Sequence, residues 1–431
     1  MAKVDGQFSL LHPIDFLLPP SYPSLIQTKT INTIFPMIAM MKLVVLLGDG
    51  MADLPLDALQ GKTPLQAAKK PNMDRLAKQG KSGLAQTVPE GFAPGSDVAN
   101  LSVMGYSPSQ HYSGRAPLEA AAMGVALGKA DIAFRCNLVT IEDGAMLDYS
   151  AGHITTEESR ELIEALQPLM PERRLYAGVS YRNLLVLKAG ANAVCTPPHD
   201  ISDQSVAEHL PRGPDSELLR RLMEAARPVL ASHPVNKKRI SEGKHPANAI
   251  WLWGQGPAPT MPSFDEKYGL KGAMISAVDL LKGIGRYAEL QVVDVPGATG
   301  NIDTNYEGKV QAALEALKRL DFVYLHVEAP DEMGHEGNTE LKVKAIELFD
   351  ELVVGPVVEG LQKSGEDWRV LLLPDHATPI SIKTHSCDPV PFTIAGAGVE
   401  PDAVESFDED AAKRGGYGLV EATRLVGMMR G

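Results

Sequence analysis

The 431-residue chain has only three cysteines, Cys136, Cys195 and Cys387, and they are far apart. A disulfide framework or a thiolate zinc site needs more cysteines at closer spacing, so both are excluded, and a reducing cytoplasm is the expected compartment. Long apolar runs are missing as well. The stretch around Ile34 to Leu47 is broken by Pro36 and Lys42 and ended by Asp49, short of the roughly 20 residues that span a bilayer. Positive charge is scarce: 41 Lys and Arg against 54 Asp and Glu give a net charge of −13. No global field therefore attracts nucleic acid or an anionic membrane, and an anionic substrate would need local cations. Residues 1–40 contain no arginine and no basic region leading to an apolar run and a small-residue cleavage site, so they read as neither transit nor signal peptide. Met40 or Met41 immediately precedes the first strand-like run, which makes 1–40 a non-native or poorly ordered extension in this reading.

What is present points to an ordered enzyme-sized chain. Hydrophobic residues make up 44% and charged residues 22%, enough for a large core, and the length suits two or three domains. Lys42 to Leu47 is a buried-strand pattern closed by Gly48-Asp49-Gly50. Thr63 to Gln79 has helical spacing divided at Pro71 and stopped at Gly80, and Ser96 to Met104 reads as a helix after the turn formers Pro94-Gly95. Strand-like runs recur at Phe322 to Val327, Val370 to Leu373 and Pro391 to Ala395. Helical patterns at Gly308 to Arg319 and Leu341 to Gln362 alternate with them, the second expected to break at Gly355-Pro356. This alternation predicts an α/β fold whose parallel sheet is covered on both faces. Between the halves, Pro-rich joints mark a smaller inserted domain. The expected division is a core of 41–111 and 296–431 with an insert of 112–295.

Metal-type ligands sit at the predicted strand ends: Asp49 after the first strand, Asp331 and His335 after the second, Asp375-His376 after the third, and His385 before the fourth. Loops at the carboxyl ends of parallel strands converge on one edge, so these distant residues can share a site. Carboxylates with neutral imidazoles suit Mn, Zn or Fe, with Mg possible. Each residue also has a plainer reading, as a turn former or a satisfied polar group; it is their shared edge that favours a metal centre. Ser96, at the start of a helix where backbone N–H groups favour phosphate, is the candidate nucleophile, although a simple cap reads equally well. The basic run His233 to Arg239 suits a solvated face, and Trp251 and Trp253 suit packing within the insert.

The segments VVLLGDGMAD, PGSDVANLSVMGYSP, HVEAPDEMGH, LLPDHAT and THSCDPVPF resemble those of archaeal-type cofactor-independent phosphoglycerate mutases of the alkaline phosphatase superfamily, from about Met41 to the C-terminus. The resemblance implies an alkaline-phosphatase-like sheet core with an inserted α/β lid. It implies a phosphoryl group carried on Ser96, one divalent ion on Asp49, Ser96, Asp375 and His376, and a second on Asp331, His335 and His385. Manganese is the first choice, with Mg, Zn or Co possible. No bisphosphoglycerate is required, and the partner is a small anionic phosphorylated substrate.

Arg115, Arg135, His153, Arg182 and Lys309 are candidates to hold the substrate, Arg being suited to bidentate contacts with carboxylate and phosphate. His199-Asp200 matches a recurring family motif of unassigned role. The insert departs from the archaeal pattern, which expects Arg at His153 and His at Asn183; the first departure is shared with a bacterial branch proposed to be homoserine kinases. A homoserine kinase and a metal-dependent phosphomonoester hydrolase are therefore the enzyme alternatives, and a catalytically dead binding protein is a third. No GxxxxGK[ST] loop is present. The sequence sets no oligomeric state.

Overall fold

The computed structural model describes residues 41–431; the expected extension 1–40 lies outside the described residues. The strands among them are β1 (Lys42–Gly48), β2 (Lys81–Gln86), β3 (Ile132–Glu142), β4 (Ala145–Asp148), β5 (Leu175–Val179), β6 (Arg182–Leu187), β7 (Ala249–Gly256), β8 (Gly272–Ile275), β9 (Gln291–Val293), β10 (Phe322–Val327), β11 (Trp368–Leu373), β12 (Val390–Gly396) and β13 (Gly418–Glu421). They form an eight-stranded sheet in the order β13-β2-β12-β11-β1-β10-β8-β9, and a five-stranded sheet of β4-β3-β6-β5 with β7 also on β3.

The large sheet is covered on both faces, which is why its central strands are continuous apolar runs. Alternate residues of β1 feed opposite cores. Val44 and Leu46 join the helices Pro71–Gln79, Tyr306–Leu317 and Thr339–Phe349, whereas Leu43, Val45 and Leu47 join Ser96–Val103, Asp279–Tyr287 and Leu425–Arg430. The sheet is mixed rather than wholly parallel. β12 runs antiparallel to both β11 and β2, and the segment 374–389 that joins it to β11 carries no helix of the kind that covers a parallel crossover.

Three local expectations change. Strands β8 and β9 fall inside 112–295 yet pair with β10 and with each other, so this part of the expected insert extends the large sheet. The helix at Gly355-Pro356 does not break. A π-helical segment at Asp350–Val354 widens the turn, and Pro356 falls in the first turn of the continuing helix Gly355–Ser364, where its missing N–H costs nothing. Arg239, in the run read as a solvated face, is buried, with Nη1 donating to Glu158 at 2.6 Å and Nη2 to the Ala151 carbonyl at 2.6 Å.

In the smaller sheet β3 separates two environments. Phe134, Cys136 and Leu138 pack with the helices Thr156–Leu166 and Ser216–Ser232, and Ala133 packs with Ala116 and Ala120 of the helix Arg115–Ala122. That helix also lies hard against Asp279–Tyr287, where Gly283 is required because the Leu118 carbonyl fills the space of any Cβ. The helix thereby ties the two sheets together and brings Arg115 and Glu119 near Arg135 of β3.

Candidate metal centre and nucleophile

One edge of the large sheet gathers the candidate ligands. Asp49 follows β1, Asp375 and His376 follow β11, and Asp331 and His335 lie one turn apart on Ala329–Glu336, the helix after β10. His385 comes before β12, and the reversed direction of that strand returns its starting end to the same edge. All six residues are brought together. His335 Nε2 lies 3.2 Å from Asp331 Oδ2, His385 Nε2 lies 3.5 Å from Asp331 Oδ1, and the two Nε2 atoms are 3.0 Å apart. His376 Nε2 lies 3.4 Å from Asp49 Oδ1 and 3.5 Å from Asp375 Oδ2. Gly50, at φ 60°, completes the cradle: a Cβ there would meet Thr378 Oγ1 at 2.5 Å and Asp331 Oδ1 at 2.6 Å.

The electrostatics suit a cation. Burial, reinforced by the charges of Asp375 and Asp331, pushes the Asp49 carboxyl well above the usual range. Its Oδ1 is buried without a hydrogen-bond partner. Burial also opposes ionisation of Asp331, but hydrogen bonds from His335 and His385 outweigh it and hold that carboxyl well below the usual range. The same contact overcomes burial at His335 and raises it to about 9. An acid that resists ionising, an orphaned carboxylate oxygen and two imidazole nitrogens converging on one carboxylate form a donor set that a divalent ion would satisfy. Asp331, His335 and His385 have ligand atoms within 4.8 Å of one another, as do Asp49, Asp331 and His376, and Asp49, His326 and Asp375.

Ser96 opens the helix Ser96–Val103, with Gly95 as its cap residue. Its hydroxyl makes no capping bond and instead lies 3.2 Å from His376 Nε2. One turn on, Asn100 donates to the Ser96 carbonyl at 2.9 Å and to Asp375 Oδ2 at 2.7 Å, while accepting from the Tyr324 hydroxyl at 2.5 Å. The serine is thereby tethered to the acidic cluster.

Four of the five proposed substrate contacts gather on the smaller sheet. Arg135 Nε lies 3.0 Å from Glu119 Oε2, Arg115 Nε lies 3.6 Å from Glu119 Oε1, and the Arg135 guanidinium stacks 4.3 Å from the centre of the Trp253 ring. Arg182 stacks 5.1 Å from the Tyr181 ring, which His153 approaches edge-on at 6.5 Å. His153 ends a run with Ala151 and Gly152 at φ between 47° and 64°, a left-handed turn that costs about 1–2 kcal/mol per non-glycine residue. The field of Arg182 reaches Glu328 and Glu332, beside the candidate metal ligands. Lys309 is the exception. It is wholly buried in the core, its Nζ donating to the His326 carbonyl at 3.1 Å, and burial lowers it to about 8. Asn183 is also committed, accepting from Ser159 Oγ at 3.2 Å and Gly178 N at 3.0 Å.

The family model for 2,3-bisphosphoglycerate-independent phosphoglycerate mutase matches residues 77–236. A curated protein of that name from Methanothrix thermoacetophila is 64% identical over 389 residues, covering 90% of this chain and 99% of its own. The chain belongs to the 2,3-bisphosphoglycerate-independent phosphoglycerate mutase family. Among solved structures, a Pyrococcus horikoshii protein superposes with a TM-score of 0.77 at 33% identity, covering 91% of this chain and 97% of that one. A cofactor-independent phosphoglycerate mutase from Thermoplasma acidophilum gives 0.62 at 29%, covering 90% and 99%.

Around this candidate site, several residues escape the strand-end reading. His326 lies inside β10, and its Nε2 is 2.8 Å from Asp49 Oδ2, while burial, against the pull of Asp375, drops it to about 3. A histidine in the apolar run FVYLHV was the available signal. Thr378 Oγ1 joins Asp331 Oδ1 to His376 Nδ1. Lys342, on the helix Thr339–Phe349, is fully buried and donates to Asp53 Oδ2 at 2.7 Å, the Thr378 carbonyl at 2.7 Å and the Ala52 carbonyl at 3.3 Å. It thus joins the loops that carry Asp49 and His376.

Proposed function

We propose that the chain interconverts 3-phosphoglycerate and 2-phosphoglycerate without bisphosphoglycerate, through a phosphoserine at Ser96. The observation that carries this reading is the Ser96 hydroxyl, 3.2 Å from His376 within the convergent acidic and histidine cluster. Asp331, His335 and His385 would hold one divalent ion and Asp49, Asp375, His376 and Ser96 the other, manganese being our first choice. Bound ions would lower the serine pKa and neutralise charge on the transferring phosphoryl group.

In the first displacement Ser96 Oγ gives up its proton and forms its bond to phosphorus as the ester oxygen–phosphorus bond breaks, and the glycerate oxygen takes up a proton. In the second, the other glycerate hydroxyl gives up its proton and attacks phosphorus, and Ser96 Oγ leaves and is reprotonated. Asn100 fixes the serine backbone, and Asp375 is held by Asn100, Gly50 N and its neighbour's N–H. Glycerate must be retained between the two steps and water kept out, or the outcome is hydrolysis. The five-stranded-sheet unit acts as a lid in this reading. Its Arg115, Arg135 and Arg182 supply the local cations that a chain of net charge −13 lacks overall.

The test is phosphorus NMR of 3-phosphoglycerate with manganese-loaded protein and no ATP or bisphosphoglycerate. A 2-phosphoglycerate signal supports the mutase. Free phosphate alone makes the chain a hydrolase, and no change without ATP followed by phosphorylation of homoserine with ATP makes it a kinase.

A further inference from the structure

His199 stands in the short 3-10 turn Pro198–Ile201, and 44% of its side chain is exposed. Its ring meets Trp253 edge-on at 5.2 Å and Tyr149 at 6.1 Å. Trp253 is buried and fixed by its indole N–H donating to Asn137 Oδ1 at 3.1 Å, and Arg135 stacks on the same indole. One rigid aromatic plate therefore carries both a guanidinium and an imidazole. Neither nitrogen of His199 has a hydrogen-bond partner among the described residues; the nearest carboxylate, Asp200 Oδ1, is 3.7 Å away and exposed. Burial opposes protonation of the ring against the pull of Asp200, and Arg115 and Arg135 are both near enough to add to it.

The arginines themselves are under-satisfied. Arg135 is 4% exposed, and its Nε, like that of Arg115, is buried with no properly aligned acceptor, although Glu119 sits close to both. Buried guanidinium donors without aligned partners are costly unless a ligand completes them. Phosphoglycerate has two anionic ends. If its phosphate lies at Ser96 and the ions, the carboxylate is the group left for a separate set of cations.

We infer that His199 is a further substrate-positioning residue, its ring N–H completing, with Arg115 and Arg135, a subsite for the glycerate carboxylate. This rests on the mutase reading above. A carboxylate anchored there lets the glyceryl group turn, presenting either hydroxyl to the phosphoserine without leaving. A ring N–H of the imidazole can donate one directed hydrogen bond to that carboxylate.

The experiment uses the full-length, manganese-loaded protein with His199→Phe, which keeps an aromatic ring against Trp253 and Tyr149, and His199→Gln, which restores a donor. Phosphorus NMR gives the ratio of 2-phosphoglycerate to free phosphate, and steady-state assays give KM and kcat. For His199→Phe the expected result is a KM raised about tenfold or more and a larger fraction of turnovers ending in free phosphate. His199→Gln should recover part of both; a role in packing alone would not be rescued by Gln or change the product ratio. A His199→Phe protein with wild-type KM and product ratio overturns the proposal while leaving the mutase reading intact. A wild-type protein that makes no 2-phosphoglycerate overturns the mutase reading, and this one with it.

Discussion

Replacing Lys342 with Met removes the cation that joins two ligand-bearing loops. The Lys342 and Asp53 side chains are both fully buried, so neither charge has water to fall back on. Asp53 also accepts from Leu54 N at 2.7 Å and Ile380 N at 3.2 Å, which fixes the carboxylate where it stands. Met matches the length of the lysine stem but leaves the Asp53 charge and the Thr378 carbonyl without their main partner. Breaking a buried pair in this way costs about 3–5 kcal/mol, a large share of the roughly 5–15 kcal/mol that keeps a protein folded. Denaturant unfolding of Lys342→Met, Asp53→Asn and the double variant measures the coupling as a cycle. The two singles should each be strongly destabilised and the double variant much less than their sum. Because Ala52 and Thr378 lie close to the proposed metal ligands Asp49 and His376, manganese affinity measured by titration calorimetry should also fall, by about 10- to 100-fold. A Lys342→Met protein with unchanged stability and unchanged manganese affinity would refute the argument.

Ser96→Ala should abolish mutase turnover by phosphorus NMR while metal analysis still finds an ion at the Asp331, His335 and His385 group, which does not include the hydroxyl. Arg135→Ala should raise KM for 3-phosphoglycerate by about ten- to a hundredfold, the equivalent of one or two charge-assisted hydrogen bonds; a normal KM would remove Arg135 from the clamp. Glu409 accepts from Thr63 Oγ1 at 2.6 Å and Asp53 N at 3.1 Å, and burial raises it to about 7. The folded state therefore holds this proton more tightly than the unfolded chain, and stability falls as pH rises from about 4.5 to 7, by at most about 3 kcal/mol. Glu409→Gln should flatten Tm across that window, and an unaltered pH profile would show that the carboxyl ionises freely.

The legible parts of this fold are those dictated by local pattern. β10 falls exactly where the apolar run Phe322 to Val327 lies, and the two cores on either side of β1 leave little room for polar residues in its neighbours. Strand direction is not a local property, so the reversal of β12 had no signature in Pro391 to Ala395. Nor did the membership of β8, whose four residues Gly272–Ile275 are too short to distinguish a core strand from one in the insert. Gly355-Pro356 misled for a different reason. Proline's cost in a helix depends on whether the preceding turn can widen, and Asp350–Val354 does so while Asp350 accepts from Asn72 N at 3.2 Å and Met73 N at 2.7 Å.

The site divides along the same line. Its candidate ligands stood out because acids and histidines at strand ends are conspicuous, and the shared edge on which the structure gathers them follows from topology. Its supports were not, because Lys342, Asn100 and His326 sit in helices and a strand where each has an ordinary structural reading. Lys309 shows the converse: it was a candidate to hold the substrate, yet its Nζ is spent on the His326 carbonyl. Burying that cation is tolerable because it lies in the field of Glu328, whose carboxyl burial raises to about 8 and which Lys309 and Arg182 pull back down. The candidate centre therefore combines one acid, Asp49, that burial and its acidic neighbours keep from ionising with two, Asp331 and Asp375, that their neighbours hold below the usual range. A divalent ion entering there would relieve the repulsion that helps to raise Asp49, so the affinity we propose depends on buried supports such as Lys342 as much as on the candidate ligands themselves.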